Sequence, residues 1–330
     1  MALPPTLLIR AAKAIWTTLW RTMMSQMAPS DKGGAYQRPE SVFCDRIPSS
    51  TFPIAVHRYR LIVGMGCPWA HRTLIVRVLK GLESAVPITI VSPLGNEGCW
   101  VFDHPSKADS LGCRTMPQFY NQIQSGYQGR ATVPVLWDSQ THKIVNNESA
   151  EIIEILNTAF NSWASHPELD LYPAALRADI DRWNTRIYST VNNGVYRCGF
   201  AQTQNAYEDA CNELFDSLDA INKTLAHHRY LCGNALTLAD IRLFTTLIRF
   251  DVAYYGLFKC NRQRIADYEN LSGYVRDIYQ LPGIASTCDV NAIKRDYFGN
   301  LFPLNPGGII PLGPDLDNLK APHRRGTFSD

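Results

Sequence analysis

An α/β domain followed by an all-α domain is the fold class this sequence predicts, on three observations. A run rich in β-branched and aromatic residues, 55–64, is broken by Gly64-Met65-Gly66 and passes directly into a helical pattern that opens at Cys67-Pro68. A second β-rich run, 132–138, contains Pro134 and is followed by a shorter one at 143–145 that a hairpin would pair with it. Beyond residue 173 the apolar residues fall at helical spacing almost without interruption. The expected organisation is an N-terminal extension over 1–50, an α/β domain over 51–161, a helical domain over 174–304 and a C-terminal coil over 305–330.

Taken in order, the extension comes first. Residues 1–27 carry Arg10, Lys13 and Arg21 with no acid before Asp31, and place Ile15, Trp16, Leu19, Trp20, Met23, Met24 and Met27 at helical spacing. The expectation is an amphipathic helix packed on its own protein or on a second subunit; an organelle-targeting peptide or an interfacial helix is the alternative. Gly33-Gly34 ends the segment.

The helix that begins at Cys67 has Pro68 in a first position suited to its fixed φ and missing N–H, and Leu74, Ile75, Val78, Leu79 and Leu82 supply its apolar face. A thiol there meets unpaired backbone N–H groups and the positive end of the helix dipole, both of which favour thiolate, so a pKa below the ordinary thiol value is expected. With no second Cys two residues on, Cys67 reads as a nucleophile rather than half of a redox pair; a buried structural Cys is the plain alternative. Residues 88–91 form a short apolar strand closed by Ser92-Pro93. The connection 94–129, rich in Gly, Asp, Ser and Pro, is left unassigned as a long functional loop or insertion. A proline opening a strand cannot donate to the ladder, and Pro134 makes sense if the Val133–Pro134 bond is cis and turns the Val133 backbone towards a ligand. Cis-proline beside a nucleophilic Cys is the arrangement of thioredoxin-like folds, and a helix from Ser149 to about Phe160 completes such a domain.

Residues 161–173 read as a linker. After it, Leu176, Ile180, Trp183, Ile187 and Val191 share one helix face, and Tyr207, Leu214, Leu218 and Leu225 share the next. Thr237-Leu238-Ala239-Asp240 has capping-box spacing, and 241–250 would be the central buried helix. A further helix over 271–279 and a short piece near Ile284 follow.

The totals limit what such a chain can do. It has 330 residues, 45% apolar and 19% charged, with a formal charge of +2 and no Lys/Arg-rich run, so nothing argues for nucleic acid. Nine cysteines are scattered, odd in number and never spaced Cys-x-x-Cys, which fits free thiols in a reducing, cytoplasmic setting, with organelle targeting by the extension left open. No stretch approaches the roughly 20 apolar residues of a membrane span, and no metal site is expected.

Several stretches together allow a narrower reading. Residues 67–72 (Cys-Pro-Trp-Ala-His-Arg), 130–138 (Arg-Ala-Thr-Val-Pro-Val-Leu-Trp-Asp), 145–149 (Val-Asn-Asn-Glu-Ser), 191–196 (Val-Asn-Asn-Gly-Val-Tyr) and 258–261 (Phe-Lys-Cys-Asn), with Asn305-Pro306 and Gly308-Ile309-Ile310-Pro311, resemble the glutathionyl-hydroquinone reductases, or xi-class glutathione transferases. The resemblance runs from about Tyr36 to Pro314. It implies a thioredoxin-like domain joined to a helical glutathione-transferase domain, glutathione as co-substrate with no tightly bound cofactor, glutathionylated hydroquinones as substrates, and a homodimer. It further implies that Cys67 attacks the thioether sulfur, that Tyr196 donates or accepts the proton at the leaving carbon, and that Tyr254 and Tyr297 lower the pKa of Cys67.

The glutathione site can also be argued physically. A tripeptide with two carboxylates and one amine wants strand-like pairing, a cation and a helix N-terminus. Val133 offers the pairing, Arg130 the cation, and Glu148 and Ser149 the start of a helix; Trp100 would cover the tripeptide, and Ala131 and Thr132 fall inside the resembling motif. Each has a plainer alternative: a surface ion pair for Arg130, a helix cap for Glu148-Ser149, loop packing for Trp100, core aromatics for the three tyrosines. His71, one turn after Cys67, reads as structural rather than as a base. Three positions depart from the family pattern: Ala131 where Val is usual, Val252 for Pro, and Leu257 for His, the last two expected beside the acceptor pocket. Two other functions stay in view, an omega-like transferase reducing dehydroascorbate or mixed disulfides, and a non-catalytic binding protein on the transferase fold.

Overall fold

The computed structural model describes residues 4–94 and 98–328. The extension forms α1 (Pro5–Met27), yet only Met24 in it is buried, and Leu7, Leu8, Ile9, Ile15, Trp16 and Leu19 stay 45–67% exposed. The expected packing on its own chain is therefore limited to the last turns, where Trp20 Nε1 donates to the Pro303 carbonyl at 3.1 Å. No helix among the described residues is long and apolar enough to cross a membrane.

One five-stranded sheet carries the N-terminal half, its strands lying in the order Cys99–Phe102, Ile88–Leu94, Tyr59–Val63, Val135–Asp138 and Lys143–Asn146. Strand β1 (Tyr59–Val63) starts later than the sequence pattern implies, because His57 takes a left-handed φ of 56° and a turn precedes the ladder. It runs parallel to β2 (Ile88–Leu94), which continues through Ser92-Pro93 instead of stopping there. The unassigned connection supplies β3 (Cys99–Phe102), antiparallel to β2, then α3 (Lys107–Ser110) and α4 (Met116–Ile123). Strand β4 (Val135–Asp138) pairs antiparallel with β1 and with β5 (Lys143–Asn146), completing the expected hairpin. Between them, α2 (Pro68–Leu79) is buried on every side through Arg77, since it lies between α5 (Ser149–Thr158) and the helical domain; a single apolar face does not describe it. Gly81, at φ 64°, lets the chain leave α2 in the left-handed turn that helices commonly end on.

The helical half comprises α6 (Arg177–Ile187), α7 (Gly194–Gly199), α8 (Gln204–Thr224), α9 (Leu238–Arg249), α10 (Tyr255–Leu257), α11 (Glu269–Tyr279) and α12 (Val290–Lys294). Three π-helical turns interrupt it, Tyr188–Asn192, Phe250–Tyr254 and Arg295–Gly299. The central helix α9 is capped as its sequence indicates: the buried Asp240 carboxylate accepts from the Thr237 N–H and hydroxyl, the Leu231 N–H and the Tyr274 hydroxyl. The C-terminal coil wraps the helical half. Leu319 packs on α11, and the buried Arg325 guanidinium donates to the carbonyls of Leu225, His228 and Arg229.

Candidate active site

Cys67 is the N-cap residue of α2 and Pro68 its first helical residue. The two glycines before it are there for space. A Cβ on Gly64 would run into the Trp100 ring, and one on Gly66 into the Asp296 carboxylate, so a side chain at either position would push the turn away from β3 or from the Arg295–Gly299 turn. Sγ faces the carbonyl of Val133 at 3.7 Å, and the Val133–Pro134 bond is cis.

Cys67 keeps part of its surface open, but protein crowds the remainder. Burial pushes its thiol up and outweighs the N–H groups of Ala70 and Trp69 and the positive charges of Arg249 and Arg38, all of which pull it down. The downward shift expected from the helix terminus is thus present as a contribution and lost in the net direction. His71 takes no part: fully buried, it accepts from Arg249 at Nδ1 and meets the Thr287 hydroxyl at Nε2, both at 2.8 Å, and burial with Arg249 keeps it neutral.

The three tyrosines converge through the π turns, features common at functional sites. Tyr254 ends one, Tyr297 lies within another, and Tyr196 is in α7 just beyond the third. The Tyr297 hydroxyl bonds to that of Tyr196 at 2.6 Å and that of Tyr254 at 2.8 Å. Tyr196 is half-buried, stacks on Trp69 at 6.3 Å, and feels the charge of Cys67; burial first and Cys67 second push its phenol up to about 12, so it carries a proton at neutral pH. Tyr254 and Tyr297 are raised further by burial. Among the described residues no hydroxyl hydrogen-bonds Sγ directly, and the groups that lower the Cys67 pKa are N–H groups and arginines rather than Tyr254 and Tyr297.

On the α5 side, Glu148 caps its own helix: Oε1 accepts from the Ala150 N–H at 2.9 Å and Oε2 from the Ser41 hydroxyl at 3.0 Å. Ser149 is buried and its hydroxyl accepts from Arg72 at 3.2 Å. Arg130 is exposed, with its backbone carbonyl held by Tyr127, while the Thr132 carbonyl accepts from Tyr120 of α4 at 3.0 Å. Ala131 is half-buried beside them, and the half-buried Trp100 lies on the Gly64 turn. Cys67, Val133 and Trp100 therefore share one region of the sheet's end. Val252 is buried and lines a 390 Å³ cavity with Leu316 and Leu319 beneath the C-terminal segment.

Three polar residues of this region lie outside every motif quoted above, Arg38, Arg249 and Asp296, and a fourth, Arg72, closes the 67–72 motif without a role assigned to it. Arg249 was the readable one, a cation closing the uncharged run 243–248 of α9. The Asp296 carboxyl accepts the Gly66 N–H, and burial raises it to about 7 against Arg249 and Arg295. An unfolded-state value of about 3.9 means that the folded chain holds this proton longer. Its favourable contribution is complete below about pH 4 and is lost as pH rises through about 7. Asp296→Asn should therefore gain stability relative to the parent between pH 4 and 8, by on the order of 1–3 kcal/mol. Denaturant melts at both pH values check this, and a pH-independent difference would mean the carboxyl is ionised throughout.

This geometry has close counterparts. The family models "Glutathione S-transferase, N-terminal domain" and "Glutathione S-transferase, C-terminal domain" match residues 66–159 and 204–277. The chain is 46% identical over 324 residues to glutathionyl-hydroquinone reductase YqjG of Escherichia coli, covering 94% of this chain and 96% of that protein. Glutathionyl-hydroquinone reductase PcpF of Sphingobium chlorophenolicum is 44% identical, covering 91% and 94%. The crystal structure of glutathione-S-transferase Xi from Phanerochaete chrysosporium superposes with a TM-score of 0.83 at 46% identity, covering 87% and 95% of the two chains. The glutathione-bound structure of YqjG superposes with a TM-score of 0.80, covering 89% and 94%. With its half-buried cysteine at the start of α2 and its converging tyrosines, the chain belongs to the glutathione transferases and, within them, to the xi-class family of glutathionyl-hydroquinone reductases.

Proposed function

We propose that this chain reduces glutathionyl-hydroquinones to hydroquinones with glutathione as co-substrate. The observation that carries the reading is Cys67 at the start of α2, its Sγ 3.7 Å from the Val133 carbonyl and the proton-bearing Tyr196 near enough to feel its charge. The Cys67 thiolate attacks the glutathionyl sulfur of the bound conjugate. The bond from that sulfur to the ring carbon breaks, the carbon keeps the proton supplied by Tyr196, and Cys67 is left as a mixed disulfide with glutathione. A second glutathione, giving its thiol proton to the Tyr196 phenolate, attacks the glutathionyl sulfur and expels Cys67 as thiolate with glutathione disulfide as product.

Glutathione is held, in this reading, by the Val133 backbone, by Thr132, Ala131 and Arg130 on the same strand approach, by Glu148 and Ser149 at the start of α5, and by Trp100 over it. Tyr254 and Tyr297 act through Tyr196, since their hydroxyls bond to one another and to it. The scattered cysteines, odd in number and never spaced Cys-x-x-Cys, support a reducing compartment, the cytoplasm, and the exposed apolar residues of α1 support a homodimer, which sedimentation would test.

Mass-spectrometric detection of free hydroquinone and glutathione disulfide from a glutathionyl-hydroquinone tests the activity; turnover of dehydroascorbate or mixed disulfides alone would move the chain to the omega-like alternative. Tyr196→Phe is expected to slow hydroquinone release by about 10²-fold, the scale of one general acid, with glutathione affinity within about twofold of the parent by calorimetry. Equal losses in both would remove its role as proton donor.

A further inference from the structure

One guanidinium in the site is not spoken for. Arg38 belongs to the extension, and its position is fixed by the helical domain: Gln202 N–H donates to the Gly34 carbonyl at 3.0 Å, Thr203 Oγ1 to the Gly33 carbonyl at 2.7 Å, and the buried Tyr36 ring packs edge-on against Phe200. The half-buried Arg38 side chain then lies over the Trp69 ring, with Cζ 4.0 Å from the centroid. Trp69 lies two residues after Cys67 and stacks on Tyr196. Among the described residues Arg38 makes no hydrogen bond and no ion pair, so its face is used and its donors are not.

The same ring meets a second guanidinium, Arg72, with Cζ at 4.5 Å, but the two Nη groups of Arg72 are given to Ser149 and Asn192 and its Nε is buried. The two arginines divide the site. Arg72 serves the α5 side, where the tripeptide carboxylate belongs, whereas the charge of Arg38 reaches Cys67, Tyr196 and Tyr188, the groups around the reacting bond.

We propose that Arg38 is a specificity-determining residue that holds the anionic ring oxygen of the hydroquinone moiety, using the guanidinium donors left unpaired while its face rests on Trp69. This rests on the reading of the activity given above. The ring oxygen beside the carbon–sulfur bond enters as phenolate. When Tyr196 delivers its proton to the ring carbon, the oxygen becomes a carbonyl and the carbon tetrahedral. When the Cys67 thiolate takes the glutathionyl sulfur, the electron pair of the carbon–sulfur bond returns to the ring and the oxygen leaves as phenolate again. A cation with free N–H groups favours the ionised oxygen at both ends of this sequence and donates to the carbonyl between them. An acceptor without such an oxygen gains nothing from it.

The test compares the parent with Arg38→Gln and Arg38→Lys on two substrates that share the Cys67 step: a glutathionyl-hydroquinone, and the mixed disulfide of glutathione with a neutral aliphatic thiol. Arg38→Gln is expected to lower kcat/KM on the first by about 10- to 100-fold, the scale of one charge-assisted hydrogen bond. Because the Arg38 charge also pulls the Cys67 thiol down, the disulfide should lose some rate as well, but about tenfold less than the hydroquinone substrate, with glutathione affinity by calorimetry within about twofold. The variant should also need a higher pH to reach its maximum on the hydroquinone substrate. Arg38→Lys should recover only part of the loss, since an ammonium lacks the flat face that stacks on Trp69. An equal loss on both substrates would overturn the proposal in favour of an effect on the Cys67 thiolate, and weakened glutathione binding would overturn it in favour of a glutathione carboxylate. A parent that turns over the disulfide but not the glutathionyl-hydroquinone would remove the activity itself, and this proposal with it.

Discussion

Cys67→Ser is expected to abolish hydroquinone release, by at least about 10³-fold, while the chain remains folded and binds glutathione. A serine hydroxyl is neither ionised at neutral pH nor able to form the disulfide that the second glutathione resolves. The usual objection, that the variant has unfolded, meets a specific answer here. Position 67 is the N-cap of α2 and has no side-chain cap bond, and serine is among the preferred N-cap residues, so the melting temperature should hold or rise. Intact mass after reaction with a glutathionyl-hydroquinone should show one added glutathionyl group on the parent, mapped to Cys67, and none on the variant. The eight other thiols serve as an internal control: Cys113, Cys198, Cys211 and Cys260 are buried, and Cys288 packs against His71. Residual hydroquinone release above a tenth of the parent rate would transfer the chemistry to another group.

A raised thiol is compatible with the reactivity proposed for Cys67. Burial raises Cys67 and in doing so strengthens every charge that acts on it, because the medium around Sγ is less polarisable than water. Arg38, Arg249 and the first N–H groups of α2 are then worth more to a transient thiolate than they would be at the surface.

What could be read from the chain follows from how local each signal is. The Gly64-Met65-Gly66 break, Pro68 and the proline after Val133 are short-range features, and the strand, helix start and cis bond they mark are in place. The stretch 94–129 was opaque at its strand, since β3 is a four-residue edge strand whose pairing partner β2 gives it its structure. It was not opaque throughout: Thr115 and Gln118 form a capping box at α4, with Pro117 inside the first turn, and that spacing is visible in the sequence. No spacing rule could join the tyrosines. Tyr297 meets partners 101 and 43 residues away, each delivered by a helix interrupted by a π turn. Arg38 was hidden for a different reason, lying in an extension whose only periodic signal was α1, the part that packs least.

Arg249→Met is expected to give the largest loss of stability, about 3–5 kcal/mol, together with a Cys67 that ionises at higher pH. Arg249 is fully buried at the end of α9 and reaches across to the turn before Cys67: Nε donates to the Gly66 carbonyl at 2.9 Å, Nη2 to the Met65 carbonyl at 3.4 Å, and Nη1 to His71 Nδ1 at 2.8 Å and the Thr245 carbonyl at 2.9 Å. Methionine matches its length and packing but leaves these acceptors buried without a donor, each costing about 1–3 kcal/mol, partly recovered by relaxation. It also removes a charge that pulls Cys67 and Asp296 down, so both should ionise at higher pH. The two effects separate by pH: with Arg249 gone, Asp296 keeps its proton further up the scale, and the variant should lose least near pH 5 and most near pH 8. Arg249→Lys should not restore the parent, because one ammonium cannot span carbonyls and imidazole in the plane of a guanidinium fork. Denaturant melts at the two pH values and the pH dependence of Cys67 alkylation check this together. A stable Arg249→Met with unchanged alkylation would mean that the turn before Cys67 is held by the sheet and α2 alone, and that the helical domain contributes tyrosines to the site but no support to its nucleophile.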